Sequence, residues 1–205
     1  MKPTKILTDE HRVIEVVLDV LERITDQAKN ESRLDRESAE QAVDFIRHFA
    51  DECHHGKEET HLFTAMVKKG LPREGGPVGQ MVHEHEQGRA FVRGMAENIA
   101  AASTGDAEAL RAYSASAHGY VQLLRAHIQK EDRILFPLAD RVFDETDQET
   151  LLANFAKVES EHMGEGTHDK YLRIAEALAD RYGVPREKIA GHSCGCAHTK
   201  SEVQK

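Results

Sequence analysis

The stretch "CHHGKEETHLF", residues 53–63, brings His54, His55, Glu58, Glu59 and His61 within a few positions of one another. Imidazole and carboxylate are the side chains that hold first-row transition metals, imidazole suiting Zn, Cu, Fe and Ni and carboxylate suiting harder ions. In an α-helix, positions i and i+4 share a face, so a single face cannot present all five groups. Two neighbouring pairs compete, His54 with Glu58 and His55 with Glu59, and the local pattern does not separate them.

An internal repeat does. When Leu62-Phe63 is set on Leu135-Phe136, the segment "AHIQKEDRILF" (126–136) places Glu131 on Glu58 and His127 on His54. Both copies read H-x-x-x-E followed by an acidic residue. Upstream, Glu-His pairs carry His11 and His85, which precede His54 and His127 by 43 and 42 residues. The chain therefore reads as two related helical hairpins, each supplying His and then H-x-x-x-E.

Helical periodicity points to the same set. The face of His54 continues through Ile46, Ala50, His61, Leu62 and Ala65, whereas His55 falls with His48, Asp51 and Glu52, a solvated pattern. His11 lies among Leu7, Ile14 and Leu18, His85 among Met81, Val82 and Val92, and His127 among Tyr120, Leu123 and Leu124. The expected ligands are His11, His54, Glu58, His85, His127 and Glu131, with His55 and Glu59 directed elsewhere. His61 sits beside this face as a secondary candidate. A lone buried histidine is ordinarily a satisfied core residue, but buried carboxylates need a compensating charge. Two Glu and four His converging in one core call for a cation.

Long runs of helix-forming residues must position these groups. The apolar period predicts helices over 8–28, 35–70, 78–102 and 106–142, with a kink or early end at Pro137. A fifth runs to about 182, interrupted by "GEG" at 164–166. Short connections imply antiparallel neighbours. The expected fold is all-α: an up-and-down four-helix bundle over 1–142, an additional C-terminal helix packed on it over 143–183, and a flexible tail over 184–205. The net charge of −9, from 27 basic and 36 acidic side chains, argues against a nucleic-acid partner. No apolar run is long enough to span a bilayer. "MKPTKILTDEHR" lacks the apolar core of a secretory signal, and three Cys fit a reduced compartment. A cytoplasmic location is the expectation.

Taken together, Glu-His11, His54-x-x-x-Glu58, Glu-His85 and His127-x-x-x-Glu131 resemble the hemerythrin-like, HHE cation-binding family over roughly residues 5–142. The resemblance implies an antiparallel four-helix bundle around two iron ions, bridged by carboxylates and an oxo or hydroxo group. Manganese or a mixed iron–manganese pair also suits such a donor set. His11, His54, His85 and His127 would be terminal ligands, with Glu58 and Glu131 as bridges. The expected partner is a small diatomic or peroxide ligand, as in relatives that bind O2 or sense O2, NO or peroxide; a dedicated enzyme is less favoured.

The oxygen carriers of the family place H-x-x-x-H on the third helix, but position 81 is Met and position 89 is Arg here. The last motif is H-x-x-x-E, where the carriers have H-x-x-x-x-D. One fewer imidazole shifts the expectation from stable oxygen carriage towards sensing or redox chemistry. A ferritin-like oxidase, peroxidase or iron-handling protein is the alternative, resting on E-x-x-H spacings at Glu52/His55, Glu58/His61, Glu159/His162 and Glu165/His168. Glu161, Glu165 and His168 could share a face of the fifth helix and support or gate the centre. His192, Cys194, Cys196 and His198 in the tail form a further candidate set for Zn or Cu(I).

Overall fold

The computed structural model describes residues 1–162, 166–187 and 189, without the side chains of 161 and 162. Helix α1 (Pro3–Glu31) begins with Pro in its first turn, where the missing N–H has no helical partner to lose. Its stripe Leu7, Ile14, Leu18 and Leu21 is fully buried. Helix α2 (Arg36–Phe45) is capped by Asp35, whose carboxylate accepts from the Ser38 N–H. The same rod runs on through π-helical turns at Ile46–His55 and Glu58–Leu62 into α3 (Phe63–Lys68).

Helix α4 (Pro77–Ser103) is the third rod. The fourth is α5 (Ala107–Lys130), where Asp106 accepts from the N–H groups of Glu108 and Ala109, followed by a π turn at Glu131–Leu135 and α6 (Phe136–Val142). Pro137 neither stops nor ends this rod early. The π turn just ahead of it widens the coil, and Pro137 occupies the first turn of α6, where a missing N–H is tolerated. α4 and α5 approach closely, because a Cβ on Gly94 would meet the Ser116 side chain at 2.5 Å and one on Gly119 would collide with the Phe91 ring.

Beyond the bundle the fifth helix, expected to be interrupted at 164–166, is two: α7 (Glu145–Lys157), extended by a π turn at Val158–His162, and α8 (Thr167–Tyr182). Asp144 and Asp147 form a reciprocal capping box that fixes the start of α7. After α8 the chain does not leave the molecule at 184. Gly183 takes a left-handed conformation, the Val184 N–H returns to the Ala179 carbonyl, and both Val184 and Ile189 are buried.

Two apolar cores stack along the bundle. One joins Leu18, Leu21, Phe45, Phe49, Tyr113 and Val121 with Tyr171 and Leu178 of α8. The other joins Leu7, Leu62, Phe63, Met66, Leu135 and Phe136 with Leu151 and Phe155 of α7. On α1, His11 lies between Leu7 of one core and Ile14 of the other, so polar groups on this level are enclosed above and below by hydrocarbon. No helix among the described residues is long and apolar enough to cross a membrane.

Candidate metal centre

On this level seven side chains from four rods converge. His11, His54, Glu58 and Glu131 form one group, and His55, Glu58, His85 and His127 form the other. Within each group the candidate donor atoms lie within 4.8 Å of one another, and every residue is buried. Glu58 belongs to both groups, its oxygens 3.6 Å from His54 Nε2 and 3.5 Å from His85 Nε2. Glu131 also stands between them, its Oε2 3.2 Å from His11 Nε2 and 3.1 Å from His127 Nε2. Each carboxylate thus touches one imidazole from each half of the repeat.

The outer nitrogens explain why the rings face inward. His11 Nδ1 donates to Asp132 at 2.8 Å, His54 Nδ1 to Glu10 at 2.8 Å, His85 Nδ1 to Glu59 at 2.7 Å and His127 Nδ1 to Glu84 at 2.9 Å. A carboxylate behind the distal N–H fixes the tautomer and leaves Nε2 as a lone-pair donor, the arrangement metal-bound imidazoles adopt. The repeat is preserved in these supports: Lys57 donates to Glu10, and Lys130, at the same place in the second hairpin, donates to Glu84. Phe136 stacks on His11 at 5.4 Å and Phe63 on His85 at 5.9 Å, so the aligned Leu-Phe pairs also have a shared function.

The inner atoms are what a cation would satisfy. His11 Nε2, His54 Nε2 and all four oxygens of Glu58 and Glu131 are buried without a hydrogen-bond partner. His85 Nε2 and His127 Nε2 face each other at 3.1 Å. Orphaned buried carboxylate oxygens are expensive, and this concentration of them is the best measure of fit between the residues and a pair of metal ions.

Metal-free, the cluster divides its protons unevenly. Burial, and then the neighbouring Glu131 charge, pushes the Glu58 carboxyl well above the usual range. Burial also acts on Glu131, but His127 and His11 overcome it and hold that carboxyl well below. His127 is raised to about 9, because Glu131 and Glu84 outweigh its burial, and His11 is raised for the same reason by Asp132 and Glu131. Burial lowers His54 to about 4, the hydrogen bond to Glu10 notwithstanding.

His55 corrects the reading from sequence. It is buried, its Nδ1 lies 3.3 Å from Asp51, and its ring stacks on His85 at 3.8 Å between centroids. The reason is the π turn at Ile46–His55: more residues per revolution reduce the angle between consecutive side chains, so His54 and His55 both face inward. The corresponding residue in the second hairpin is Ile128, so this fifth imidazole breaks the repeat. It also makes up the imidazole that α4 lacks, which removes the argument for a depleted centre. Glu59 is likewise part of the assembly, as the acceptor for His85. Arg89 pairs with both Glu59 and Asp51, supporting the carboxylates behind His85 and His55.

The other candidates lie apart. His61 packs near Phe155, 6.4 Å between ring centroids, and belongs to neither group. Glu52 is exposed, so the Glu52/His55 pair does not converge on the centre, and the side chain of His162 lies outside the described residues. His168 lies against Phe49 at 5.3 Å and is also outside both groups. The Glu161 side chain, Glu165 and the set His192, Cys194, Cys196 and His198 lie outside the described residues. A cavity of about 200 Å³ between Ile46, Val92, Tyr120 and Arg89 reaches the His55 and His85 rings. It is smaller than an ordinary organic-ligand pocket.

Compared with known proteins, residues 2–139 match the model of the hemerythrin HHE cation binding domain. No curated protein and no solved structure matches the chain.

Proposed function

The chain belongs to the hemerythrin HHE cation-binding domain family, and on that premise we propose that it holds two iron ions and uses them to bind or sense O2 or a related small oxidant such as NO or peroxide. The observation that carries this reading is the set of inward-facing imidazole nitrogens, their five rings each backed by a carboxylate, around two buried carboxylates whose oxygens have no hydrogen-bond partner. Iron bound there would supply a one-electron couple at each metal and an open position for a small ligand.

The protein's own contribution is positioning and exclusion. Glu58 and Glu131, each beside an imidazole of both groups, would link the two ions. His55, His85 and His127 give one group three imidazoles, while His11 and His54 give the other two. The two-imidazole position is short of a protein donor and is where an exogenous ligand would bind. Leu7, Leu62 and Phe136 cover that side with hydrocarbon, which keeps bulk water from competing.

Metal content of the purified protein, with absorption spectra taken after anaerobic reduction and then measured O2 addition, tests the proposal. Iron near two equivalents and an O2-dependent band support it; protein that takes up no iron and shows no such band overturns it. His55→Ala is expected to weaken one equivalent by about 10- to 100-fold, as loss of a ligand or its support commonly does. His61→Ala should leave both unchanged. Equal effects of the two substitutions in a metal titration would remove His55 from the centre.

Loading should also release protons. Below about pH 9 the metal-free centre holds a proton on His127, and burial favours the protonated form of Glu58; both protons compete with the ions. Affinity is therefore expected to rise with pH between 6 and 9, by about 10-fold per unit for each proton displaced. Chelator competition at several pH values checks the sign, and a flat profile would contradict it.

A further inference from the structure

Lys57 has no exposed surface, an unusual place for an ammonium group. Its Nζ donates to Glu10, whose other oxygen accepts from His54 Nδ1 at 2.8 Å, and to Glu159 Oε1 at 2.7 Å. Glu159 lies in the π turn that follows α7, beyond residue 139 where the family match ends. One helical turn earlier, Phe155 is buried with its ring centroid 6.0 Å from the same Nζ. The segment after the bundle therefore closes over Lys57 with both a ring and a carboxylate.

The second hairpin supplies an internal comparison. There Lys130 donates to Glu84, and Glu84 accepts from His127 Nδ1, but the Lys130 side chain is 38% exposed and pairs with no second carboxylate among the described residues. Water solvates Lys130, whereas Glu159 does so for Lys57. Without Glu159 the buried ammonium would draw wholly on Glu10. That carboxylate would then accept less strongly from His54, and the imidazole would be held less firmly and be a poorer donor.

We propose that Glu159 is a positioning residue for the His11/His54 half of the metal centre, acting through Lys57 and Glu10, so that this half is complete only with the segment after the bundle docked. The inference rests on the metal-binding reading above, but its cause lies in residues outside the family domain. Sequence periodicity points to Glu161, Glu165 and His168 for such support; among the described residues His168 packs on Phe49 instead, and Glu159 reaches the network.

The test uses the full-length chain carrying Glu159→Gln, a neutral replacement of the same shape, with Glu149→Gln on the exposed side of α7 as control. In the metal-free protein the ¹⁵N resonance of His54 Nδ1 is expected to move in Glu159→Gln and stay in place in the control, with His127 Nδ1 unmoved in both. Titration with Fe(II) under anaerobic conditions should show one equivalent weakened by about 10-fold and the other unchanged. A His54 resonance and two affinities indistinguishable from the unmodified chain overturn the proposal. If the unmodified chain binds no iron, the functional reading falls, while the His54 resonance still decides the coupling. Should Glu159→Gln unfold the chain, Glu159→Asp keeps the charge on a shorter arm. A shift of the His54 resonance in that variant supports the coupling, and none overturns it.

Discussion

Replacing Glu58 by glutamine is expected to remove metal from both positions while leaving the metal-free fold as stable as before, or more stable. Glu58 is common to both groups, so the loss of one anionic oxygen donor reaches each ion. The amide resembles the protonated acid that burial and the Glu131 charge already impose in the absence of metal. The substitution therefore removes an interaction that exists only when cations are bound, and it spares the fold the proton uptake that a buried Glu58 requires. Metal content should fall from about two equivalents to well below one. The unfolding free energy of the metal-free protein, from urea denaturation, should stay the same or rise by up to about 1 kcal/mol. Retention of both equivalents would exclude Glu58 as a shared ligand, and a large loss of metal-free stability would show that it serves the fold instead.

Lys57→Met should have the largest effect on stability. The methionine chain fits the apolar path of the lysine stem, but Glu10, itself buried, loses its ammonium partner. Breaking a buried pair by removing one member typically costs about 3–5 kcal/mol, because the remaining charge lacks water and its counter-charge, and Glu10 keeps only the His54 N–H. Lys130→Met removes the equivalent residue of the second hairpin, yet that lysine is part-exposed, and Glu84 still accepts from His127 and Gln80. The expected cost there is about 1 kcal/mol. Urea unfolding of the two variants side by side measures the contrast. In the double variant with Glu10→Gln, most of the Lys57→Met loss should be recovered, since no unpaired charge remains. Equal losses at the two lysines would mean that burial is not what makes Lys57 matter.

Much of this organisation could be read from residue order alone. Apolar period and turn residues give four rods of nearly the right length, since a helix that buries one face repeats that face every three to four residues. The hairpin repeat singles out His11, His54, Glu58, His85, His127 and Glu131, and all six lie in the two clusters. A metal centre built by a repeated unit leaves its mark twice in the chain, so chance spacing is easier to discard. The family follows from the same four elements.

Three features required the folded molecule. Whether His55 faces solvent or the centre depends on a π turn, and a wide turn has no fixed residue signature; packing around it decides that it forms. Pro137 marks a helix stop in isolation, but the π turn ahead of it lets the rod continue. The carboxylates behind four of the five imidazoles come from other rods, as Glu10 does for His54 and Glu84 for His127, and Glu159 reaches Lys57 across 102 positions. Sequence determined which side chains were available to the centre, because helical period is local. Tertiary structure decided which of them it received and what holds them, because those contacts exist only once separate rods are packed together.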